Sequence, residues 1–244
     1  MIVLVQDYSC TGPRREELDL AMRRNLENPL VEKVVSLGEK GFVSFEHSKL
    51  VVIRQNERAT FEDFFKVAMG LESDKMVAIM NTDCYIGEGW EGLQLTHSQA
   101  VCLTRWEQGD PPAVHPYIDP ETSHDCWVFR TPLRDIQQAD IYLGTLGCDG
   151  GIAKSLENAG YSLLNPLWQV QLVHVDMVSN KNPLARKPGG RQFKNGHPKK
   201  NGHAKVGHTP LEGLPFLAEP TPRKRVSKDF LRYLHLRSAG VIRP

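Results

Sequence analysis

Short apolar runs alternate with helical patterns along the first 80 residues. The runs occupy residues 1–5, 31–37, 50–54 and 76–80. Each is too short for a typical helix, and the run at 76–80 is continuously apolar, which is typical of a strand buried on both faces. Helix-start signals stand between them at Thr11-Gly12-Pro13 and at Thr60. This alternation predicts an α/β fold with a mostly parallel sheet flanked by helices.

The pattern changes after residue 90. Short strands are predicted at 100–105 and 126–130, and the four prolines of the loop between them argue against regular structure there. A helix is predicted at 152–158, preceded by Cys148-Asp149-Gly150-Gly151, and a last strand at 170–175 carries His174. Residues 180–227 lack apolar periodicity, which predicts an extended arm.

Three segments follow from these patterns. We expect a body at 1–180, a basic arm rich in Gly, Pro and Lys at 181–226, and a terminal amphipathic helix at 227–244 that docks on the body. Ser227 would cap that helix.

Composition agrees with a globular protein. The 244 residues are 40% hydrophobic and 24% charged, which suits a packed core. No apolar run approaches the roughly 20 residues that span a bilayer, and residues 1–5 are too short for a signal segment. The five cysteines are scattered without a CxxC pair, which indicates a reducing compartment. We therefore expect a soluble, cytoplasmic protein.

Charge is divided unevenly along the chain. The net charge of +1 combines a body of 15 Lys and Arg against 26 Asp and Glu with a tail, residues 181–244, of 15 against 3. A basic segment of this kind can neutralise several phosphates of a nucleic acid without sequence preference. A solvated loop and a patch for anionic lipid are the alternatives. His197, His203 and His208 are too irregularly spaced to predict a metal site.

Polar groups stand at the ends of several predicted elements. Asp83 follows a strand, Asp125 precedes one, Asp149 begins a helix and His174 lies in the last strand. Asp83 and His174 suit a shared divalent cation completed by phosphate and water, and Asp149 suits a general base. The alternatives are a turn at Asp83, an N-cap at Asp149 and a core histidine at His174. The motifs GxGxxG, GxxxxGK[ST], GxSxG and HExxH are absent.

Seven segments carry a family resemblance over residues 1–178. The chain resembles small GT-A-type glycosyltransferases of bacteria and bacteriophages in the ordered series RREELDLAMRRNLENPLVEKVVSL, RATFEDFFKVA, MVAIMNTDCYIGEGWEGL, AVCLTRWE, SHDCWVFRTPL, LGTLGCDGGIAKSLENAGYSLLNP and VQLVHVDMV. The resemblance implies a GT-A fold and the transfer of a sugar from a nucleotide-sugar donor, with a UDP-sugar favoured, assisted by Mn²⁺ or Mg²⁺.

The resemblance also implies donor-site residues. Asn81-Thr82-Asp83 stands where such enzymes carry a D-x-D element, so Asp83 would be the main metal ligand and Asn81 would touch the ribose or sugar. His174 matches the late-strand histidine that completes the metal site. Tyr8 would stack on the nucleobase, and Arg58 would meet the diphosphate.

On the acceptor side, Asp149 matches the acidic residue that deprotonates the attacking hydroxyl in an inverting displacement. The second catalytic candidate is Asp125. The predicted acceptor-binding residues are Arg105, Asp125, Trp127, Lys199 and Lys200. For Trp127 the alternative is plain core packing.

Together, the basic arm and the resemblance suggest a particular acceptor, a hydroxymethylated pyrimidine in DNA, reached by flipping the base. Two alternatives stay open. One is a glycosyltransferase of surface polysaccharide or lipid-linked glycan synthesis, and the other is a non-catalytic nucleic-acid-binding module with a transferase-like fold.

Overall fold

A computed structural model describes residues 1–7, 10–38, 46–108, 114–116, 123–145, 147–175 and 204–217. The helices are α1 (Pro13–Glu27), α2 (Phe61–Met69) and α3 (Cys148–Asn158). The strands are β1 (Ile2–Asp7), β2 (Lys33–Gly38), β3 (Leu50–Arg54), β4 (Met76–Met80), β5 (Cys84–Ile86), β6 (Gln99–Leu103), β7 (Trp106–Gln108), β8 (Val114–Pro116), β9 (Cys126–Arg130), β10 (Ser162–Leu164) and β11 (Leu172–His174).

The main sheet has seven strands in the order β10-β6-β9-β4-β1-β2-β3. All its neighbours pair in parallel except β9, which runs antiparallel between β4 and β6. The predicted α/β fold with a mostly parallel sheet flanked by helices is therefore confirmed. Because β9 runs the opposite way, its first residues meet the last residues of β4 and β6 at one edge of the sheet. That edge is where a parallel sheet opens its ligand crevice.

Apolar side chains cover both faces of this sheet. Helices α2 and α3 bury Phe61, Phe64 and Ile152 against one face, while α1 buries Met22 and Leu26 against the other. The predicted start of α2 at Thr60 is confirmed, since Thr60 and Asp63 form a reciprocal capping box. Helix α1 begins with Pro13 in its first turn, as the sequence predicts.

A second sheet, ordered β5-β11-β7-β8, packs at the same edge. The prediction that residues 107–125 lack regular structure is wrong, because β7 and β8 form an antiparallel pair there. Pro116 is the last residue of β8, an edge strand with one neighbour, which is a position where sheets tolerate proline. Helix α3 begins at Cys148, four residues before its predicted start, and the three-residue strands β5 and β10 were not predicted.

Residues 204–217, which belong to the predicted basic arm, lie along the body without forming a helix or strand. The Ala204 N–H donates to the Gly150 carbonyl at 3.1 Å, and Val206 is buried among core residues. The Gln169 side chain donates to the carbonyl of Leu211. The rest of the arm and the predicted helix at 227–244 lie outside the described residues, so the three-segment division stays a prediction. Within the described ranges, no helix has the length and apolar character needed to cross a membrane.

Candidate active site

Asp83 and His174 meet at the edge where β4 ends. The Val175 N–H donates to the Asp83 carbonyl at 2.8 Å, which holds β11 beside the turn after β4. His174 Nε2 then lies 3.4 Å from Asp83 Oδ2, and His174 Nδ1 lies 2.8 Å from Glu107 Oε2. The structure therefore brings together the two residues that the sequence predicts to share a cation, and it adds a carboxylate behind the imidazole.

The electrostatic interactions among Asp83, His174 and Glu107 favour the charged forms of these side chains. Burial alone would raise the pKa of Asp83, but His174 and Arg14 outweigh it and hold that pKa well below its usual range. Burial would likewise lower the pKa of His174, but hydrogen bonds to Asp83 and Glu107 raise it to about 10. Burial would raise the pKa of Glu107, but its hydrogen bond with His174 and the charge of Arg105 lower that pKa to about 2.

Arg14, in the first turn of α1, is a site residue that the sequence analysis missed. Its Nη2 donates to Asp83 Oδ2 at 2.6 Å, and its Nη1 donates to Glu17 Oε2 at 2.6 Å. Glu17 is only 1% exposed. A basic residue in the turn that follows the first predicted strand was the available signal, because helix N-termini after parallel strands border the ligand crevice.

Arg105 and Asn81 converge on one oxygen of Asp125. Arg105 Nη1 donates to Asp125 Oδ1 at 2.9 Å, and Asn81 Nδ2 donates to the same oxygen at 2.7 Å. Arg105 also donates to Glu107 at 2.7 Å, so one guanidinium links Asp125 to Glu107. Asp125 is 4% exposed, and its Oδ2 has no hydrogen-bond partner among the residues that the structure describes. Its burial raises the pKa of this carboxyl despite the nearby guanidinium.

Glu107 was also missed by the sequence analysis, because it falls in the proline-rich segment. Arg105 lies one residue before β7 and Glu107 lies within it, so the opposite charges in the series RWE carried a usable signal. The contact of Glu107 with His174 becomes visible only once β7 is known to be a strand that pairs in parallel with β11.

Asp149 lies in the first turn of α3. The N-cap of that helix is Gly147, in a left-handed conformation with φ 85°, so Asp149 is not the cap. Its Oδ1 accepts from the Cys148 thiol at 3.0 Å, and its Oδ2 lies 3.4 Å from the backbone N–H of His124. Burial, and secondarily the charge of Asp125, raises the pKa of Asp149 to about 7. A carboxylate with this pKa can accept a proton near neutral pH.

Arg58 borders the same edge of the sheet. Its Nη2 donates to the Leu143 carbonyl at 2.5 Å, and its guanidinium lies 5.6 Å from the Tyr142 ring centroid. A Cβ built on Gly144 would meet Arg58 Nη2 at 3.8 Å and Asn81 Oδ1 at 4.0 Å. The loop at Gly144 thus lies against both predicted donor-binding side chains.

Trp127 is not part of this site. Its side chain is fully buried and makes an edge-to-face contact with Phe61, with ring centroids 4.8 Å apart. The predicted acceptor contact is therefore corrected in favour of the alternative, core packing, because an indole with no exposed surface cannot touch a ligand. Tyr8, Lys199 and Lys200 lie outside the described residues.

The donor set at Asp83 and His174 fits a hard divalent cation. Adjacent ligands of an octahedral ion, each about 2.1 Å from the metal, lie about 3 Å apart, close to the 3.4 Å between Asp83 Oδ2 and His174 Nε2. Glu107 on the other imidazole nitrogen is the usual partner of a metal-binding histidine. No cluster of three or more His, Cys, Asp or Glu side chains suited to a metal occurs within the part of the chain that the structure describes. A hard cation held by two protein side chains commonly takes its other ligands from phosphate oxygens and water.

The contact between Asn81 and Asp125 explains why an amide suits position 81. We expect Asn81→Asp to place two carboxylates at hydrogen-bond distance in a poorly solvated site, and to lower the free energy of unfolding by about 1–3 kcal/mol at pH 8. Urea unfolding measures this loss. Asn81→Ala, which removes the donor without adding a charge, is the control and should lose less. Equal losses in the two variants contradict the role given to the amide.

The similarities of this chain to known proteins are found among solved structures and are low in sequence identity. Neither a protein-family model nor a curated protein matches the chain. Among solved structures, a mannosyltransferase of Pyrobaculum calidifontis in complex with GDP-Man and Mn²⁺ is 13% identical with a TM-score of 0.42, covering 71% of this chain and 56% of that one. S. aureus TarS 1–349 in complex with UDP-GlcNAc is 12% identical with a TM-score of 0.47, covering 80% and 61%.

A third similar structure is GalNAc-T7 with UDP, GalNAc and Mn²⁺, 10% identical with a TM-score of 0.45, covering 78% of this chain and 46% of that one. This chain thus spans between about half and three-fifths of these three chains. At TM-scores below 0.5 the similarities carry no argument about what this chain binds or catalyses.

Proposed function

We propose that the protein is a metal-dependent glycosyltransferase that moves a sugar from a nucleotide-sugar donor, favoured to be a UDP-sugar, to a hydroxyl acceptor. The observation that carries this proposal is the pair Asp83 and His174, 3.4 Å apart at the edge of the sheet with Glu107 behind the imidazole. Two protein ligands suit a cation whose other positions are taken by a diphosphate.

In this proposal Asp83 and His174 hold Mn²⁺ or Mg²⁺, and Glu107 orients the imidazole. The bound ion would neutralise the negative charge that develops on the departing nucleoside diphosphate. Arg58 adds a second positive charge on the donor side, and Asn81 contacts the ribose or sugar. Tyr8 remains the predicted partner of the nucleobase.

Asp149 takes the role of the general base. It accepts the proton of the acceptor hydroxyl while that oxygen forms a bond to the anomeric carbon and the bond from that carbon to the phosphate oxygen breaks. One displacement of this kind inverts the anomeric configuration. The pKa of Asp149, about 7, suits proton transfer near neutral pH. Arg105 and Asp125 lie on the acceptor side of this base.

For the acceptor we propose a hydroxymethylated pyrimidine base in DNA. The support is the composition of the tail together with the position of its described part. The Ala204 N–H donates to the carbonyl of Gly150, the residue after Asp149, so the described part of the arm begins beside the proposed base. Lys199 and Lys200, a few residues before Ala204, are proposed to bind DNA phosphates. A cytoplasmic location belongs to the same proposal.

The test supplies Mn²⁺ and a panel of nucleotide sugars with duplex DNA that contains 5-hydroxymethylcytosine or 5-hydroxymethyluracil. Mass spectrometry of the released nucleosides should show a nucleoside heavier by one sugar. DNA that contains 5-methylcytosine lacks the hydroxyl and serves as the control. Transfer only to a saccharide or lipid-linked acceptor overturns the DNA assignment. Release of no nucleoside diphosphate from any donor overturns the enzyme assignment and favours a binding module.

A further inference from the structure

Arg14 forms an ion pair with the same oxygen of Asp83 that would bind the proposed metal. Its Nη2 lies 2.6 Å from Asp83 Oδ2, the same oxygen that lies 3.4 Å from His174 Nε2. The guanidinium is held from behind by Glu17, through a second contact of 2.6 Å. Asp83 thus has a resident cation from its own chain.

A divalent ion and a guanidinium on one carboxylate oxygen repel each other. Like charges at such a short separation repel each other even at the effective dielectric of a protein surface, and the second charge of a divalent ion doubles that repulsion. The cation therefore binds well only if Arg14 leaves Asp83. A nucleoside diphosphate, which carries several negative charges beside the metal, offers Arg14 a new partner with fork geometry.

Arg14 has room for this exchange. Its side chain keeps 32% of its surface exposed, whereas that of Glu17 keeps 1%. The buried carboxylate can hold one edge of the guanidinium while the other edge turns from Asp83 towards the crevice.

We propose that Arg14 couples the two ligands of the site: it pairs with Asp83 when no nucleotide is bound, and it moves to the diphosphate when the divalent cation takes Asp83. This inference rests on the proposed function. It makes metal and nucleotide binding mutually dependent, because a coupling between two ligands is reciprocal. Arg14 is thus a positioning residue whose removal changes the linkage between the ligands.

The experiment measures the Kd of Mn²⁺ by electron paramagnetic resonance of the free ion, with and without saturating UDP or GDP. For Arg14→Gln, we expect Mn²⁺ without nucleotide to bind about tenfold more tightly than to the wild type. The coupling, which is the ratio of the two Kd values, should fall at least about tenfold, the range for losing a charge-assisted hydrogen bond. Arg15→Gln removes the neighbouring guanidinium, which pairs with Asp19, and should leave the coupling unchanged.

If Arg14→Gln fails to fold because Glu17 is left buried, the double variant with Glu17→Gln carries the same expectations. A wild type with strong coupling and an Arg14 variant that keeps it overturn the inference but leave the proposed function intact. A wild type that binds Mn²⁺ neither alone nor with a nucleotide overturns the proposed function itself.

Discussion

Replacing Asp83 with asparagine is expected to slow the release of nucleoside diphosphate from the sugar donor by at least about 100-fold. The variant keeps the shape of the side chain but removes the charge that holds the proposed cation, and with it the stabilisation of the leaving group. Initial rates with Mn²⁺ at saturating donor measure the loss, and Mn²⁺ binding in the presence of the nucleotide should weaken in parallel.

Asp74→Asn is the matched control for this prediction. Asp74 lies near the opposite end of the same strand, β4, is largely exposed and pairs with Arg130. Its left-handed backbone, with φ 63°, tolerates asparagine well. The control should keep the wild-type rate. An Asp83→Asn protein that folds and retains more than about a tenth of the wild-type rate contradicts the metal role of Asp83.

Asp149→Asn is expected to lower the rate of sugar transfer by about 10²–10⁴-fold, the usual contribution of a general base. Because the pKa of Asp149 is raised to about 7, the wild-type rate should increase with pH and level off above that value. The variant should lose this dependence. Rates of transfer between pH 5.5 and 8.5 give the profile, and Glu157→Gln at the exposed end of α3 is the control.

The same raised pKa affects stability with a definite sign. Between the ordinary aspartate value of about 4 and the folded value of about 7, the folded protein binds a proton that the unfolded chain does not. Asp149 therefore costs stability as pH rises through this window, by up to about 1.4 kcal/mol per pH unit. Asp149→Asn should flatten that fall in urea unfolding. A variant with the wild-type slope contradicts the raised pKa.

The sequence predicts the parts of this protein that local pattern determines. Strand β4 (Met76–Met80) is apolar because it has a neighbouring strand on each side and helices cover both faces of the sheet. Its apolar run and the polar residues that follow it can therefore be recognised in the sequence alone. The carboxyl ends of strands then predict where Asp83 stands, and the structure places it against His174 as expected. Asp149 begins a helix, as predicted, although α3 starts earlier because Gly147 supplies its left-handed cap.

Residues that depend on pairing between distant segments escape such reasoning. Glu107 reaches His174 only because β7 pairs with β11, 67 positions along the chain. Arg14 reaches Asp83 across 69 positions. Trp127 illustrates the opposite error, because it stands only two residues after Asp125, yet its side chain packs in the core against Phe61. The direction of the Trp127 side chain follows from the register between β9 and β4. That register cannot be read from the sequence alone.

The most direct test of the central claim is the binding of nucleoside diphosphates to the wild-type protein, measured by calorimetry with Mn²⁺ and again with excess EDTA. The geometry of Asp83 and His174 predicts that at least one nucleotide of a panel that includes UDP and GDP binds with Mn²⁺, and that its affinity falls more than tenfold when the metal is removed. A folded protein that binds none of them, or binds one equally well in EDTA, contradicts a metal-held diphosphate at this site.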